Sequence, residues 1–353
     1  RIASVLGERP ALSGERDHYV YKDLIAVVDT LAGELSAKGI RRAALIADNS
    51  PAWVIVDLAC LQAGIALIPI PGFFSQAQLT NVLASSAADT LISDRLSSDP
   101  QLQIVCDSAG VATAFNCLPE LTAWPLAVAA HNTSMPRGTA KITYTSGSTG
   151  APKGVCLSAP NLFATATALN AALSTSTLRR HLAVLPLATL LENVAGVYAG
   201  LLRGAEVVLP GLQSLGWAGS SGLEVSELAN NISRWQPDSF VSLPQILKDL
   251  IALVERDHWQ PPASLLFVAV GGARVAPEQI AQARELGFPV YEGYGLSECG
   301  SVVSLNTPGG ERPGSAGKVL SHCDVEIVEG QVIVKGNVYL GYLTARRINS
   351  PKH

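Results

Sequence analysis

Charged residues are scarce in this chain of 353 residues: they make up 15% of it, well below the roughly 25% that is usual for soluble domains. The net charge is −4 and no run of lysine or arginine occurs, so the footprint of a nucleic-acid-binding protein is missing. The chain also lacks a stretch of about 18 uninterrupted apolar residues. Its most apolar part, residues 53–71, is broken by Asp57 and Pro69 among others, so we expect no transmembrane segment.

Cysteines are few and unpatterned. None of the six has C-x-x-C spacing and the histidines are not clustered, which argues against a zinc site or a disulfide framework and favours the reducing cytoplasm. We interpret Cys299, beside Glu298, as a small buried side chain and not as a nucleophile. The start, Arg1-Ile2-Ala3, is neither an initiator methionine nor a signal peptide and predicts that a few leading residues are absent.

What the chain does have is length and apolar content, 48%, enough for two or three subdomains. Strand-like and helix-like segments alternate, which predicts an α/β fold of two stacked α/β subdomains with largely parallel sheets. Short strands near the end predict part of a small β-barrel or an antiparallel meander. The boundaries are placed at 1–135, 136–305 and 306–353, with an irregular link at 130–137. In the last part, Glu329-Gly330 separates two short strands of a hairpin.

Individual elements follow from periodicity and end signals. A helix at 22–38 stops at Gly39, a predicted left-handed terminator, and Ser50-Pro51 opens a helix that runs to about Gly64. Further helices are predicted at 79–85, after 158, and at 193–202, 224–235, 244–254 and 277–286. Strands are predicted at 43–47, 65–70, 90–93, 140–145, 182–185, 205–209, 239–241, 265–270, 289–291, 319, 324–328 and 331–335.

The most informative segment follows the strand at 140–145 and reads YTSGSTGAPKG from Tyr144 to Gly154. Its glycines free backbone N–H groups to turn toward an anion, its hydroxyls add donors, and Lys153 adds a positive charge. It is no Walker loop, because Lys153 follows Pro152 and precedes Gly154, where a serine or threonine would hold magnesium. A flexible Ser/Gly linker is the alternative, but a linker needs no Pro-Lys-Gly end.

Two other loops follow predicted strands, where ligands bind in open α/β sheets. Gly271-Gly272-Ala273 offers bare backbone to a flat ring, although an ordinary strand-to-helix turn would look the same. The run EGYGLSE from Glu292 to Glu298 places Tyr294, which could stack on a base, near Glu298, which could hold Mg²⁺.

These segments, in this order, resemble the signatures of the adenylate-forming superfamily, which includes the acyl-CoA synthetases. The resemblance runs from about Tyr21 to Tyr342 and implies the large N-terminal domain of that fold. It implies catalytic roles for Lys153, Ser297 and Glu298, and magnesium binding by Glu298 and Thr149. The remaining implied sets are ATP phosphate binding by Thr145, Ser146, Gly147, Ser148, Thr149, Gly150 and Lys153; adenine binding by Gly271, Gly272, Ala273, Glu292, Gly293 and Tyr294; and an acyl pocket with Glu192, Asn193, Gly295 and Leu296.

The chain also departs from the family pattern. Ser297 stands where the family usually has threonine, and Glu292 where it usually has an amide. Thr189 and Asn193 replace the histidine and arginine of the long-chain acyl-CoA synthetases, and a helix cap explains Glu192-Asn193 equally well. The ribose-binding aspartate, the hinge and the C-terminal lid of the family do not appear after Tyr342, so we expect a truncated core.

The resemblance implies a ligase that uses ATP and Mg²⁺ to convert a carboxylic acid, fatty or otherwise apolar, to acyl-AMP and pyrophosphate, and then transfers the acyl group to CoA. An acyl-carrier protein is an alternative acceptor. An amino-acid substrate is disfavoured, because no aspartate stands where amino-acid activators hold the ammonium group. The other hypothesis is a catalytically weakened nucleotide-binding or scaffold homologue, suggested by the missing terminal elements and by Thr189.

Overall fold

The computed structural model describes residues 6–95, 98–106, 110–127, 133–145, 153–219 and 222–345. The chain forms two compact units. The first comprises Arg1–Ile25, Asn49–Pro51 and Pro160–Val338, and the second Ala26–Asp48, Ala52–Ala159 and Tyr339–His353. Each unit is assembled from separate stretches of the chain, whereas the predicted subdomains 1–135, 136–305 and 306–353 are contiguous; that division stays a prediction.

Short strands alternate with helices along most of the chain. The strands are β1 (Pro10–Ser13), β2 (His18–Val20), β3 (Arg42–Ile46), β4 (Ala66–Pro69), β5 (Thr90–Ser93), β6 (Thr113–Ala114), β7 (Thr122–Pro125), β8 (Thr133–Ser134), β9 (Thr139–Thr145), β10 (Lys153–Ser158), β11 (Arg180–Leu182), β12 (Glu206–Val208), β13 (Trp217–Ala218), β14 (Gly222–Leu223), β15 (Ser239–Ser242), β16 (Phe267–Val270), β17 (Val290–Tyr294), β18 (Ser304–Leu305), β19 (Lys318–Val319), β20 (Cys323–Val328), β21 (Gln331–Gly336), β22 (Gly341–Tyr342) and β23 (Thr344–Ala345). The helices are α1 (Tyr21–Ala37), α2 (Pro51–Ala63), α3 (Gln76–Ser86), α4 (Pro100–Cys106), α5 (Ala159–Ala172), a π-helix (Glu192–Tyr198), α6 (Ala199–Arg203), α7 (Val225–Trp235), α8 (Pro244–Asp257), α9 (Pro277–Glu285) and a 3₁₀ turn (Ser297–Cys299).

The first unit is built on a sheet of nine described strands, in the order β19-β18-β17-β16-β15-β11-β12-β1-β2. The six neighbours from β17 to β1 are parallel, and antiparallel strands close both edges. Leu228 of α7, Leu247 of α8 and Val268 of β16 belong to one fully buried apolar cluster. Burial of apolar side chains between the sheet and these helices therefore holds the parallel strand ends, and the loops after them, in place.

The second unit has a sheet in the order β22-β10-β9-β4-β3-β5-β7-β6. Strands β9, β4, β3 and β5 are parallel neighbours, while β10 and β22 continue the sheet antiparallel beyond β9. Helix α2 is buried nearly all round, as its almost wholly apolar sequence requires, and carries Trp53 at 1% exposure. The most apolar stretch of the chain is thus a core helix followed by β4.

The predicted α/β architecture with parallel strands is confirmed in both units, and so are its best local signals. Gly39 ends α1 with φ of +69°, and Glu329 and Gly330, at +50° and +77°, form the tight turn between β20 and β21. Other predictions differ, and three of the differences concern the candidate site. The helix at 193–202 begins as a π-helix, β17 continues to Tyr294, and β10 occupies residues that the sequence left without an element.

Candidate functional site

Two antiparallel strands frame the predicted phosphate loop. β9 ends at Thr145, β10 begins at Lys153, and these two residues are partners in the register of the pair. The sheet therefore fixes both ends of the connection opposite each other. The predicted phosphate-binding residues between them, Ser146, Gly147, Ser148, Thr149 and Gly150, lie outside the described residues.

Lys153 is the cationic end of this loop. Its side chain is exposed, and its Nζ lies 5.6 Å from the centroid of the Tyr342 ring. No ion pair of Lys153 occurs within the part of the chain that the structure describes. A lysine whose charge no described carboxylate offsets suits a position that meets an anion.

Gly154, next to Lys153, has a structural reason to be glycine. Its carbonyl oxygen accepts a hydrogen bond of 2.8 Å from the Leu343 N–H. An added Cβ would lie 3.1 Å from Cγ2 of Ile142 and 3.2 Å from Cβ of Leu343. Close strand packing, and not a turn toward an anion, therefore accounts for this glycine.

The turn Gly271-Gly272-Ala273 follows β16, beside Gly293 in the parallel neighbour β17. A Cβ on Gly271 would lie 3.3 Å from the Gly293 carbonyl oxygen, and Gly272 has φ of +83°, a conformation that favours glycine. Two backbones thus approach closely at the carboxyl ends of these strands. This close approach and the positive φ account for the two glycines; adenine binding by the turn stays a prediction.

Glu292 and Tyr294 are two residues apart on β17 and share a face of the strand. Tyr294 is 39% exposed, and Glu292 is half-buried with Oε1 3.4 Å from the Val275 N–H nitrogen. The sequence placed both in a loop. They lie in a strand because Gly293 and Tyr294 pair with β18, so the sheet orients the side chains expected to meet adenine.

Ser297 and Glu298 lie in the 3₁₀ turn. The turn is closed by hydrogen bonds to the Leu296 carbonyl oxygen from the N–H groups of Cys299, at 3.0 Å, and Ser301, at 3.2 Å. Gly295 precedes it, and a side chain there would collide with the Ser301 carbonyl. Backbone contacts thus fix the position from which Ser297 and half-buried Glu298 project.

Under this turn lies a small apolar cluster of Cys299, Val303 and Cys323, against which Leu296 packs. Burial raises the pKa of the Cys299 thiol to about 11. The thiol therefore stays protonated at neutral pH, which agrees with its interpretation as a buried apolar side chain. Leu296, predicted to line the acyl pocket, uses at least part of its surface to anchor the turn.

Glu192 and Asn193 begin the π-helix and are 0% and 1% exposed. Glu192 Oε2 accepts hydrogen bonds from the N–H groups of Val184 at 3.2 Å and Leu185 at 2.8 Å. Its Oε1 lies 2.9 Å from His181 Nε2. The carboxylate therefore binds the chain that leaves β11, and does not cap the amide groups of its own helix.

The family model of the AMP-binding enzymes matches residues 1–349. The chain belongs to this family. A 2-succinylbenzoate–CoA ligase from Bacillus pumilus (strain SAFR-032) is 27% identical over 361 residues, which cover 97% of this chain and 69% of the relative. A medium-chain fatty-acid–CoA ligase from Escherichia coli (strain K12) is 25% identical over 375 residues, covering 94% and 63%.

A solved structure of o-succinylbenzoate CoA synthetase from Bacillus subtilis, in complex with the acyl-adenylate intermediate OSB-AMP, matches with a TM-score of 0.75 at 24% identity. The match covers 98% of this chain and 70% of that one. Another structure of that enzyme, with a TM-score of 0.73, 24% identity and coverage of 96% and 70%, contains ATP and a magnesium ion. Together with the family match, these findings confirm the predicted adenylate-forming fold and the AMP-forming acid–thiol ligase class.

Some of the residues predicted to bind the nucleotide carry groups of suitable chemistry. In the second unit Lys153 is an exposed cation, and in the first unit Tyr294 presents an exposed ring and Gly272 an exposed backbone. Among the described residues, no group of three His, Cys, Asp or Glu side chains could hold a metal. Magnesium needs no such cage, since one or two carboxylates and substrate phosphates suffice.

Asn49 is a residue of this region that the sequence did not single out. Its Nδ2 donates to the Leu185 carbonyl oxygen and its Oδ1 accepts from the Leu187 N–H, both at 2.9 Å. Its side chain is 4% exposed. Asn49 and Glu192 together fix the backbone of residues 184–187, which precedes Thr189 in the block that resembles the acyl-pocket motif.

No helix among the described residues combines the length and the apolar character that a membrane span requires. The six cysteines are all described and none forms a disulfide.

Proposed function

We propose that this AMP-binding enzyme activates an apolar carboxylic acid with ATP, forming acyl-AMP and pyrophosphate, and then transfers the acyl group to CoA. The observation that carries the proposal is the β9–β10 pair, which sets Lys153 opposite Thr145 at the mouth of a loop rich in hydroxyls and glycines. Lys153 has the charge needed there, because negative charge develops on pyrophosphate as it leaves the α-phosphate.

The other residues take the roles that their surroundings support. Tyr294 and the Gly271-Gly272-Ala273 turn contact the adenine ring, with Glu292 beside it. Glu298 and Thr149 hold magnesium, which when bound neutralises charge on the phosphates. Ser297 orients the carboxylate, and the chemistry needs positioning and electrostatics without a covalent enzyme intermediate.

The acyl group is proposed to meet Gly295, Leu296 and the block that includes Glu192 and Asn193. This block is rich in apolar residues, including Leu185, Leu187 and Leu190, and an apolar neighbourhood suits an apolar acid. The ligases with similar sequences include one named for 2-succinylbenzoate and one named for medium-chain fatty acids. Aromatic and aliphatic acids are therefore the two classes to compare. The six cysteines form no disulfide, which supports a cytoplasmic location.

The test is ATP–pyrophosphate exchange by the complete gene product over a panel of aliphatic and aromatic acids, followed by thioester formation with CoA. Lys153→Ala should slow exchange about 100-fold, and Glu298→Gln should slow it at least as much and shift its magnesium dependence. Lys248→Ala, at an exposed lysine of α8, is the matched control.

Exchange without thioester formation from CoA would direct the acceptor test to an acyl-carrier protein. No exchange with any acid, in a folded protein that binds ATP, would overturn the proposal in favour of a catalytically weakened homologue. Unchanged kinetics in Lys153→Ala would remove Lys153 from the mechanism.

A further inference from the structure

A short strand of the second unit fixes a tyrosine beside Lys153. β22 pairs antiparallel with β10, with Tyr342 opposite Val155 and Gly341 opposite Cys156. Two hydrogen bonds of 2.8 Å extend the pairing on either side, from the Leu343 N–H to the Gly154 carbonyl and from the Leu340 N–H to the Cys156 carbonyl. The position of Tyr342 is therefore set by backbone bonds.

The register places Tyr342 and Lys153 on the same face of the sheet. Lys153 is two residues from Val155, the partner of Tyr342, so the two side chains are diagonal neighbours, a spacing that long and aromatic side chains can bridge. The Lys153 Nζ lies 5.6 Å from the ring centroid, within the range of a cation–π contact. The Tyr339 ring packs edge-on against Tyr342 at 5.0 Å and supports its orientation.

An aromatic ring does something for a phosphate-binding lysine that a carboxylate cannot. It attracts the ammonium group and restricts a side chain with several rotatable bonds, yet it leaves the positive charge uncancelled. A carboxylate in the same place would compete with the phosphates for that charge.

We propose that Tyr342 is a positioning residue, which holds the Lys153 ammonium at the mouth of the phosphate loop before the nucleotide arrives. This inference rests on the proposed function for the effect on catalysis, but the contact itself exists without ligand. Tyr342→Leu removes the ring and keeps an apolar side chain, whereas Tyr342→Phe keeps the ring and removes only the hydroxyl.

The first measurement uses the ligand-free protein and no activity. Lys153 is labelled with a limiting amount of acetic anhydride and quantified by mass spectrometry, with Lys248 as the internal reference. The amino group must leave the ring to react, so Tyr342→Leu should raise relative labelling of Lys153 about two- to fivefold, and Tyr342→Phe should not. Equal labelling in all three proteins would overturn the contact.

The second measurement is a double-mutant cycle in pyrophosphate exchange. Tyr342→Leu should lower kcat about two- to fivefold with little change in the KM of the acid, Tyr342→Phe should stay near the parent, and Tyr342→Leu should have no further effect in Lys153→Ala. An equal effect of Tyr342→Leu in both backgrounds would show a general structural role and overturn the inference while leaving the proposed function intact. If Lys153→Ala itself has no effect, the proposed function fails first.

Discussion

Each unit of this enzyme buries one carboxylate close to a segment proposed for function, and the two are stabilised differently. In the second unit, Asp57 of α2 meets Lys141 of β9, with Nζ at 2.9 Å from Oδ1 and 3.0 Å from Oδ2, at 0% and 1% side-chain exposure. In the first unit, Glu192 meets His181 and two backbone N–H groups. Asp57 is neutralised by the Lys141 ammonium group. Glu192, in contrast, accepts two of its hydrogen bonds from peptide N–H groups.

Because of this difference, we expect the Asp57–Lys141 pair to be replaceable by apolar residues and Glu192 not to be. Both members of the Asp57–Lys141 pair are side chains, so an apolar pair of similar volume removes the desolvation cost together with the attraction. Burial lowers the pKa of Lys141, and the Asp57 carboxylate opposes that shift. The attraction within the pair therefore offsets part of the cost of burying the ammonium group. The N–H groups of Val184 and Leu185 remain whatever side chain stands at 192, and each needs an acceptor.

The largest effect is expected for Asp57→Ala, which leaves the Lys141 ammonium buried beside the Trp53 ring without its carboxylate. The free energy of unfolding should fall by about 3–5 kcal/mol in urea titrations. Asp57→Leu combined with Lys141→Met should recover most of this loss. A double variant as unstable as the single one would mean that the charged pair itself is required.

A smaller effect is expected for Glu192→Gln. The amide keeps one acceptor oxygen but turns an NH₂ group toward Val184, Leu185 or His181, so the free energy of unfolding should fall by about 1–3 kcal/mol. Ser239→Ala is the matched control, since it removes the 3.2 Å contact with His181 Nδ1 and a hydrogen bond to Asp238 but leaves the Glu192 carboxylate in place. If both variants lost the same free energy of unfolding, the hydrogen bonds from the backbone to Glu192 would contribute no more to stability than the single Ser239–His181 contact.

Gly196 shows how tightly the Glu192 site is built. A Cβ there would lie 2.5 Å from His181 Nε2 and would collide with Glu192 Oε1. The π-helix places this glycine against Glu192 and His181. The periodicity of apolar residues distinguishes a helix from a strand, but it does not show that a helical turn contains the additional residue of a π-helix. The sequence therefore predicted a helix here but not its form.

Features that depend on neighbouring residues could be predicted from the sequence, whereas contacts between residues far apart in the chain were not predicted. Gly39 and Glu329-Gly330 impose backbone conformations on their own positions, so their turns could be predicted. Asp57 and Lys141 are 84 positions apart, and Asn49 and Leu187 are 138 apart, so no spacing rule joins them. The proposed phosphate loop could be predicted because its residues are contiguous in sequence, whereas the contact of Tyr342 with Lys153 depends on the pairing of β22 with β10.

The smallest effect is expected for Tyr144, which lies in β9 next to Thr145. Its phenol group is largely buried and is uncharged at neutral pH. Burial raises its pKa to about 12, and its hydroxyl lies 2.7 Å from Ser85 Oγ. Because the folded pKa exceeds the unfolded value near 10, the stabilisation is complete below pH 10 and is lost as the pH rises toward 12. Between pH 8 and pH 11 the parent should therefore lose about 1 kcal/mol more unfolding free energy than Tyr144→Phe, measured by urea titration at both pH values. The comparison within each protein cancels the lost Ser85 contact, which is the same at both pH values. Equal losses in parent and variant would show that the Tyr144 hydroxyl ionises as easily in the folded chain as in the unfolded one, and that burial does not raise its pKa.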